Sequence, residues 1–378
     1  MSTIKAMPRP PDIIVVGAGI VGCAVACELA RRGASVQIVE ERAAGMGATH
    51  AAAGILAPHI EVSSPTAFLD LAVRSLSLFD DFIARTQADS GMSVLYRRTG
   101  TLQVATTEDG MRGLRNAAAR LEAQHVVLGL LDAHTVFAEE PHLSQDVVGG
   151  LVVPLHGFVA TGELIRALAG AARRHGAQVI EGSRVRRIVA TDGDVTVETD
   201  RGPLAGSAVV LAAGSWSGRI EIAGLPARVP VRPVRGQLLR LSWKGPMLRR
   251  VVWSDRCYLV PWDDGTLLVG ATMEEAGFDE RTTVAGVRDL LEAACEIAPG
   301  AWTAGFVDAR AGLRPASTDL LPIIGASRVV PNLMYATAHY RNGILLAPLT
   351  AALVADAMLE NRIDPALAVV SPQRFGDL

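Results

Sequence analysis

The sequence predicts an α/β protein in two parts: a discontinuous unit on a parallel sheet and an α+β unit on an antiparallel sheet. Three observations predict it. The chain opens on strand, glycine turn, helix and strand in "PDIIVVGAGIVGCAVACELARRGASVQIVEE". Between Pro230 and Ala309 the texture changes to short alternating strands, "VRGQLLRLSW", "RRVVWS" and "RCYLVPWDDGTLLVGATM". At 378 residues the chain is also too long for one ordinary core.

Composition narrows the class. Hydrophobic residues make up 49% and charged ones 20%, the balance of a core-rich globular chain. The net charge is −3 with both signs spread along the chain, which argues against a nucleic-acid partner. Cys23, Cys27, Cys257 and Cys295 form no CxxC pair and read as buried free thiols. The opening "MSTIKAMPRPP" lacks the apolar core of a signal peptide. Two apolar runs, 13–30 and 343–359, are punctuated by glycines in the first and by Pro348 and Asp356 in the second. Both read as buried segments rather than membrane spans, so the expectation is a cytoplasmic protein without a membrane partner.

The opening unit names a ligand. Ile13–Val16 is a β-branched run suited to a central parallel strand. Gly17, Gly19 and Gly22 follow in GxGxxG spacing, and residues 20–32 carry helical apolar spacing until Gly33. Gly17 permits the tight turn, Gly19 lets backbone approach a pyrophosphate, and Gly22 lets helix and sheet pack closely. The helix N-terminus offers free N–H groups to phosphate. Glu40, closing the second strand, suits an adenosine ribose and disfavours a 2′-phosphate. The next stretch, "GMGATHAAAGILAPH", is small and Ala/Gly-rich, as befits backbone running along a flat buried cofactor. The combination predicts a Rossmann-like unit that binds FAD.

These residues carry a resemblance. "VVGAGIVG…ELARRGASVQIVE" with "ATHAAAGILAPH" resembles the D-amino-acid oxidase family of FAD-dependent amine oxidoreductases. The AAAG run is similar to that family's glycine oxidase branch, associated with thiamin thiazole synthesis. The resemblance implies FAD contacts from Ile20, Val21, Glu40, Glu41, Ala48, Thr49, Ala53, Gly54 and Ile55.

Further elements follow in order. A helix is expected over residues 65–87 with Ser63 or Ser64 as its cap, and a hairpin in "YRRTGTLQVA" turning at Thr99-Gly100. "TEDGMRGLRNAAARLEAQ" reads as a polar surface helix. The segment from "TGELIRAL" repeats helix, glycine and strand, then adds a hairpin at Asp192-Gly193. "AVVLAAGSWSG" gives a buried strand ending near Gly214, at the carboxyl edge where such sheets take ligands. The family resemblance puts this strand in the FAD unit and matches Val185 to a backbone contact with adenine. Asp264-Gly265 marks a hairpin turn, and a helix over 282–297 covers the strands around it. The expected division is 1–85, 150–222 and 308–378 for the FAD-binding domain, and 86–149 and 223–307 for the substrate domain.

The chemistry concentrates in "HYRNGILLAP". A helix starting at Gly343 aims its N-terminus at negative charge, which reduced flavin carries on its pyrimidine edge. The resemblance transfers that edge to His339, Tyr340, Arg341, Asn342, Gly343, Ile344 and Leu345. Arg341 and Arg314 (in "GLRP") need an anion to offset their desolvation, and a substrate carboxylate is the natural one. A surface ion pair with Asp319 is the plainer alternative for Arg314. The resemblance puts the carboxylate on Arg314, with further contact from Arg341 and Tyr258, and Met273 lining the pocket. Core filling is the alternative for Met273.

What is implied is oxidative deamination of glycine, sarcosine or another small N-substituted glycine, with hydride transfer to flavin N5 and no acid or base residue. An imine, then an oxo acid and ammonia or an amine, would result, and oxygen would leave as hydrogen peroxide. A D-amino-acid or sarcosine-type dehydrogenase with another electron acceptor is the alternative. The family also implies a homo-oligomer. Histidines are too scattered to support a metal site. The sequence departs from the branch at Arg256, where the best-known members carry histidine; a third cation here would favour a larger or dianionic substrate, or else point outward. His50 is near where a related branch links FAD covalently, but one residue early, so FAD is expected to be noncovalent.

Overall fold

The structure, a computed structural model, describes residues 12–62, 66–191 and 193–378. The N-terminal segment read above, Ser63, Ser64 and Asp192 lie outside the described residues. A six-stranded sheet is ordered Ile323–Ala326, Leu333–Thr337, Ala208–Leu211, Ile13–Val16, Val36–Val39, Gln178–Ile180. Its pairings are parallel except for the edge strand Ile323–Ala326. In the strand Ile13–Val16, Ile13 and Val15 pack toward helices while Ile14 and Val16 pack toward a second sheet. Burial on both faces is why the run has no polar alternation.

On the helical face lie Ile20–Arg31, Thr161–Arg174 and Gly343–Glu360. The opposite face meets a four-stranded sheet that contains the hairpin of Val185–Ala190 and Val195–Thr199. The cysteines are free and buried, and desolvation pushes Cys23 and Cys27 up to about 12, which leaves both thiols inert.

The other large sheet has eight strands, ordered Gly305–Ala316, Arg232–Ser242, Thr266–Gly270, Tyr258–Pro261, Val251–Trp253, Thr101–Ala105, Gly149–Val153, Gly129–Asp132. It is antiparallel except where Val251–Trp253 meets Thr101–Ala105, and helix Val284–Ile297 covers it. Gly149–Val153 pairs inside this sheet, although residues from 150 on were expected with the cofactor part. The long strand Gly305–Ala316 runs from this sheet into the cofactor cavity, so it straddles the boundary expected at 308.

Two local expectations are corrected. Residues 65–87 do not form one helix. The first helix is Ala67–Ser77, capped by the Thr66 hydroxyl accepting from Leu69 N at 3.3 Å, and a second runs Phe79–Ser90 until Gly91 turns left-handed. Leu78 separates them, where the Ser77 hydroxyl donates to the Arg74 carbonyl at 2.7 Å. No hairpin joins Tyr96–Arg97 to Thr101–Ala105 either. The first pairs with Gly157–Val159 and the second with Gly149–Val153, in different sheets. Gly100, at φ 84, takes the turn as read, but its N–H donates to the His156 carbonyl at 2.9 Å.

Helix Gly343–Glu360 is long and apolar enough to cross a membrane by length and composition, and 61% of its most apolar stretch is buried inside the fold. It packs on Ile20–Arg31 and Ala67–Ser77. Pro348 lies within it, and the Ser75 hydroxyl meets the break, donating to the Leu345 carbonyl at 2.6 Å and accepting from Leu349 N at 3.4 Å.

Candidate functional site

One cavity of about 760 Å³ runs from the glycine turn, at the carboxyl ends of the parallel strands, to the end of the eight-stranded sheet. At the glycine end, Gly17 has φ 103, and a Cβ there would lie 2.5 Å from the Ala212 carbonyl oxygen. A Cβ on Gly22 would overlap the Gly17 carbonyl, while at Gly19 the nearest atom would be the Thr49 hydroxyl at 3.6 Å. The turn is thus pinned between two strands, and Gly19 keeps a bare, open approach. Helix Ile20–Arg31 starts with no cap from the Gly19 position; instead Thr49 Oγ1 accepts from Ile20 N at 3.0 Å. Glu40 is held by two backbone donors, Ala18 N at 2.7 Å and Arg42 N at 2.9 Å, one to each oxygen. A carboxylate so held keeps further acceptor sites for a ribose diol. Glu41 pairs with Arg184.

The middle of the cavity is walled by backbone. Ala48–Ala51 makes one short turn, and Gly54 follows at φ 75, where a Cβ would overlap the Val159 carbonyl oxygen. Ala53, Ile55, Val185 and Gly214 also line it. The turn before helix Gly343–Glu360 places Ala338 and Tyr340 at φ 59 and 49, rare values for such residues. His339 is buried with Nε2 3.1 Å from the Thr350 hydroxyl, and desolvation lowers its pKa to about 3. It is therefore neutral at ordinary pH. Asn342 is buried, its carbonyl accepts from Leu346 N at 2.8 Å, and its side-chain oxygen has no partner among the described residues.

Arg314 and Arg341 sit at the far end with Tyr258, Met273 and Tyr340. The Arg314 guanidinium lies flat over Gly236, where any Cβ would strike it, and donates to the carbonyls of Thr272 at 3.0 Å and Arg235 at 3.4 Å. No carboxylate pairs with it among the described residues; Asp319 is taken by Arg374 at 2.9 Å. Arg341 faces Glu61, with Nε 2.8 Å from Oε2 and Nη2 3.3 Å from Oε1. Tyr258 rests its ring over Gly270, opposite it in the strand register, and lies 5.2 Å from Trp253 between centroids. Burial raises the Tyr258 phenol pKa. Met273 is 63% exposed at the mouth, where its sulfur accepts from the Tyr340 hydroxyl at 3.1 Å, so it does not fill a core.

The cavity gathers all the expected residues except three. Gly22 packs against Gly17, Asn342 sits at the helix end, and Leu345 lies in the helical core. Arg256 lies on the wall, but its guanidinium is exposed and pairs with Glu296, the outward alternative. His50 does not line the cavity; its Nδ1 meets the Gly47 carbonyl at 2.9 Å. Sequence reading missed Glu61, Trp253, Thr272 and the floors Gly236 and Gly270. Only Glu61 left a signal, a lone acid in the apolar run "GILAPHIEV". No cluster of metal-binding groups occurs among the described residues.

The residues present fit FAD. Glycines that admit no Cβ leave the backbone bare along the cavity, and two helix N-termini face it. Comparison with known proteins agrees. The chain is 36% identical over 376 residues to a bifunctional protein ThiO/ThiG of Synechocystis sp., covering 98% of this chain and 55% of that one. It therefore spans about half the length of the first such relatives. It is 33% identical to glycine oxidase of Geobacillus kaustophilus over 91% of this chain and 92% of that protein. The crystal structure of glycine oxidase from that organism superposes with a TM-score of 0.91 over 97% of this chain and 99% of that one, at 33% identity. Residues 12–357 match the family described as DAO, FAD dependent oxidoreductase, and with a cavity of this form the chain belongs to that family.

Proposed function

We propose that the protein carries out FAD-dependent oxidative deamination of glycine or another small amino acid, such as sarcosine. One observation carries this reading: Arg314 lines the cavity, donates to two backbone carbonyls and has no carboxylate paired with it among the described residues. A substrate carboxylate supplies the missing charge through bonds worth roughly 1.5–3 kcal/mol each. FAD held there would supply the two-electron oxidising chemistry for the amine, with oxygen as the final acceptor. The chain's own part is alignment. Arg314 fixes the carboxylate, Tyr258 and Arg341 border it, and the ring of Tyr258 with Trp253 excludes water from one side. The N-terminus of helix Gly343–Glu360 favours negative charge beside it. No acid or base residue is assigned.

The same proposal assigns cofactor contacts to Gly17, Gly19, Ile20, Val21, Glu40, Ala48, Thr49, Gly54, His339, Tyr340, Arg341, Gly343 and Ile344, all of which line the cavity. It keeps the division into a cofactor part and a substrate part, with Gly149–Val153 counted by its pairing in the substrate part. FAD is noncovalent in this reading, because His50 is turned to Gly47, and acid precipitation should release all of it. A homo-oligomeric state and a place in thiamin synthesis are carried by family likeness, and a cytoplasmic location by the composition of the sequence.

The test is the anaerobic flavin spectrum during addition of glycine, followed by air. Bleaching that recovers with peroxide is the expected result. Bleaching without recovery would indicate a dehydrogenase with another acceptor, and no bleaching would sink glycine as substrate.

A further inference from the structure

Glu61 is not needed by the chemistry above, yet it lines the cavity as an acid shielded from solvent. It is largely shielded at the substrate end, its side chain 11% exposed, and desolvation raises its pKa, opposed by Arg341 and Arg314. Its Oε2 lies 2.8 Å from Arg341 Nε but off the N–H direction, and that oxygen has no hydrogen bond among the described residues. A carboxylate is retained there despite burial, against a cation that would otherwise face the cavity. The consequence concerns charge. Two arginines would make this end suit a substrate with two negative groups. Glu61 neutralises one of them and occupies its Nε/Nη2 edge, the edge a carboxylate would take bidentately. Arg256, the other cation expected nearby, is turned out to Glu296.

We propose that Glu61 is a specificity-determining positioning residue that, by holding Arg341, restricts the site to amino acids with a single carboxylate. Remove its charge and Arg341 becomes a second anion site, so that amines bearing two carboxylates enter. This rests on the reading that the site holds its substrate by a carboxylate.

The test uses the FAD-loaded protein and two inert probes, acetate and malonate, whose dissociation constants are read from perturbation of the flavin spectrum. In Glu61→Gln the affinity for malonate relative to acetate should rise by about tenfold or more, and Glu61→Asp should stay near the wild-type ratio. The double variant Glu61→Gln/Arg341→Gln should fall back to the wild-type ratio, because the second site is Arg341 itself. An unchanged ratio in Glu61→Gln would overturn the proposal. So would a gain that survives in the double variant, since Glu61 would then act without Arg341. Glu61→Asn carries the same test if Glu61→Gln does not retain FAD. Failure of glycine to bleach the wild-type flavin would count against the proposed function, while the probe ratio still reads the charge filter.

Discussion

Arg314 and Arg341 were found in the sequence by the same argument, that a cation beside a buried cofactor needs an anion. The structure separates them: Arg314 is left without a carboxylate and Arg341 is given one. Replacing Arg314 by alanine should therefore lower kcat/KM for glycine by about 100-fold or more, the loss of two charge-assisted bonds, while the protein stays yellow. Steady-state kinetics with the flavin absorbance as control checks it; near-normal kinetics would return Arg314 to a structural role. What was legible at this scale were residues carried by a local motif, such as Gly17 in the glycine turn, Glu40 at the end of the second strand and His339 ahead of the last helix. Glu61 was not, because its partner is 280 positions away and nothing local to "PHIEV" calls for an arginine.

Elements were legible where one principle governed them. The opening strand–turn–helix and the antiparallel texture after Pro230 held because periodicity and glycine spacing agreed. The Thr99-Gly100 hairpin failed for a different reason. The residue that turns was read correctly, but a strand of two residues takes its partner from the nearest available edge, and Gly157–Val159 offers one. The C-terminal helix shows the cost of a proline inside a core element. Ser75 repairs the ladder around Pro348 from a neighbouring helix, bonding both Leu345 and Leu349. Ser75→Ala would strand a buried carbonyl and should cost about 1–3 kcal/mol. Denaturant unfolding should show a lower midpoint at unchanged slope, with FAD still bound; no shift would mean that water replaces the hydroxyl.

Across the whole molecule, two buried histidines set a response to acid. His339 is held to about 3, and His156, buried and bonded to Thr101 at 2.7 Å, is also well below its ordinary 6.5. The unfolded chain binds these protons more readily, so their contribution is present above 6.5 and is lost as pH falls toward the folded values. Each should cost about 1.4 kcal/mol per pH unit over that window. Glu61 and Glu140 are raised by burial and act with the opposite sign, losing their contribution as pH rises above 4.5 through their folded values. Variants are therefore compared, not the wild-type slope alone. Between pH 7.5 and 5, the melting temperature of His156→Asn should decline less steeply than that of the wild type, and equal slopes would remove His156 from the account. The sheet order has a separate consequence, for synthesis. The strand bearing the glycine turn is made first, yet one flank waits for Ala208–Leu211, and that strand in turn waits for Leu333–Thr337. A growing chain on the ribosome thus carries an open parallel edge until residues 333–337 emerge. A message broken before residue 333 would yield fragments that keep that edge exposed.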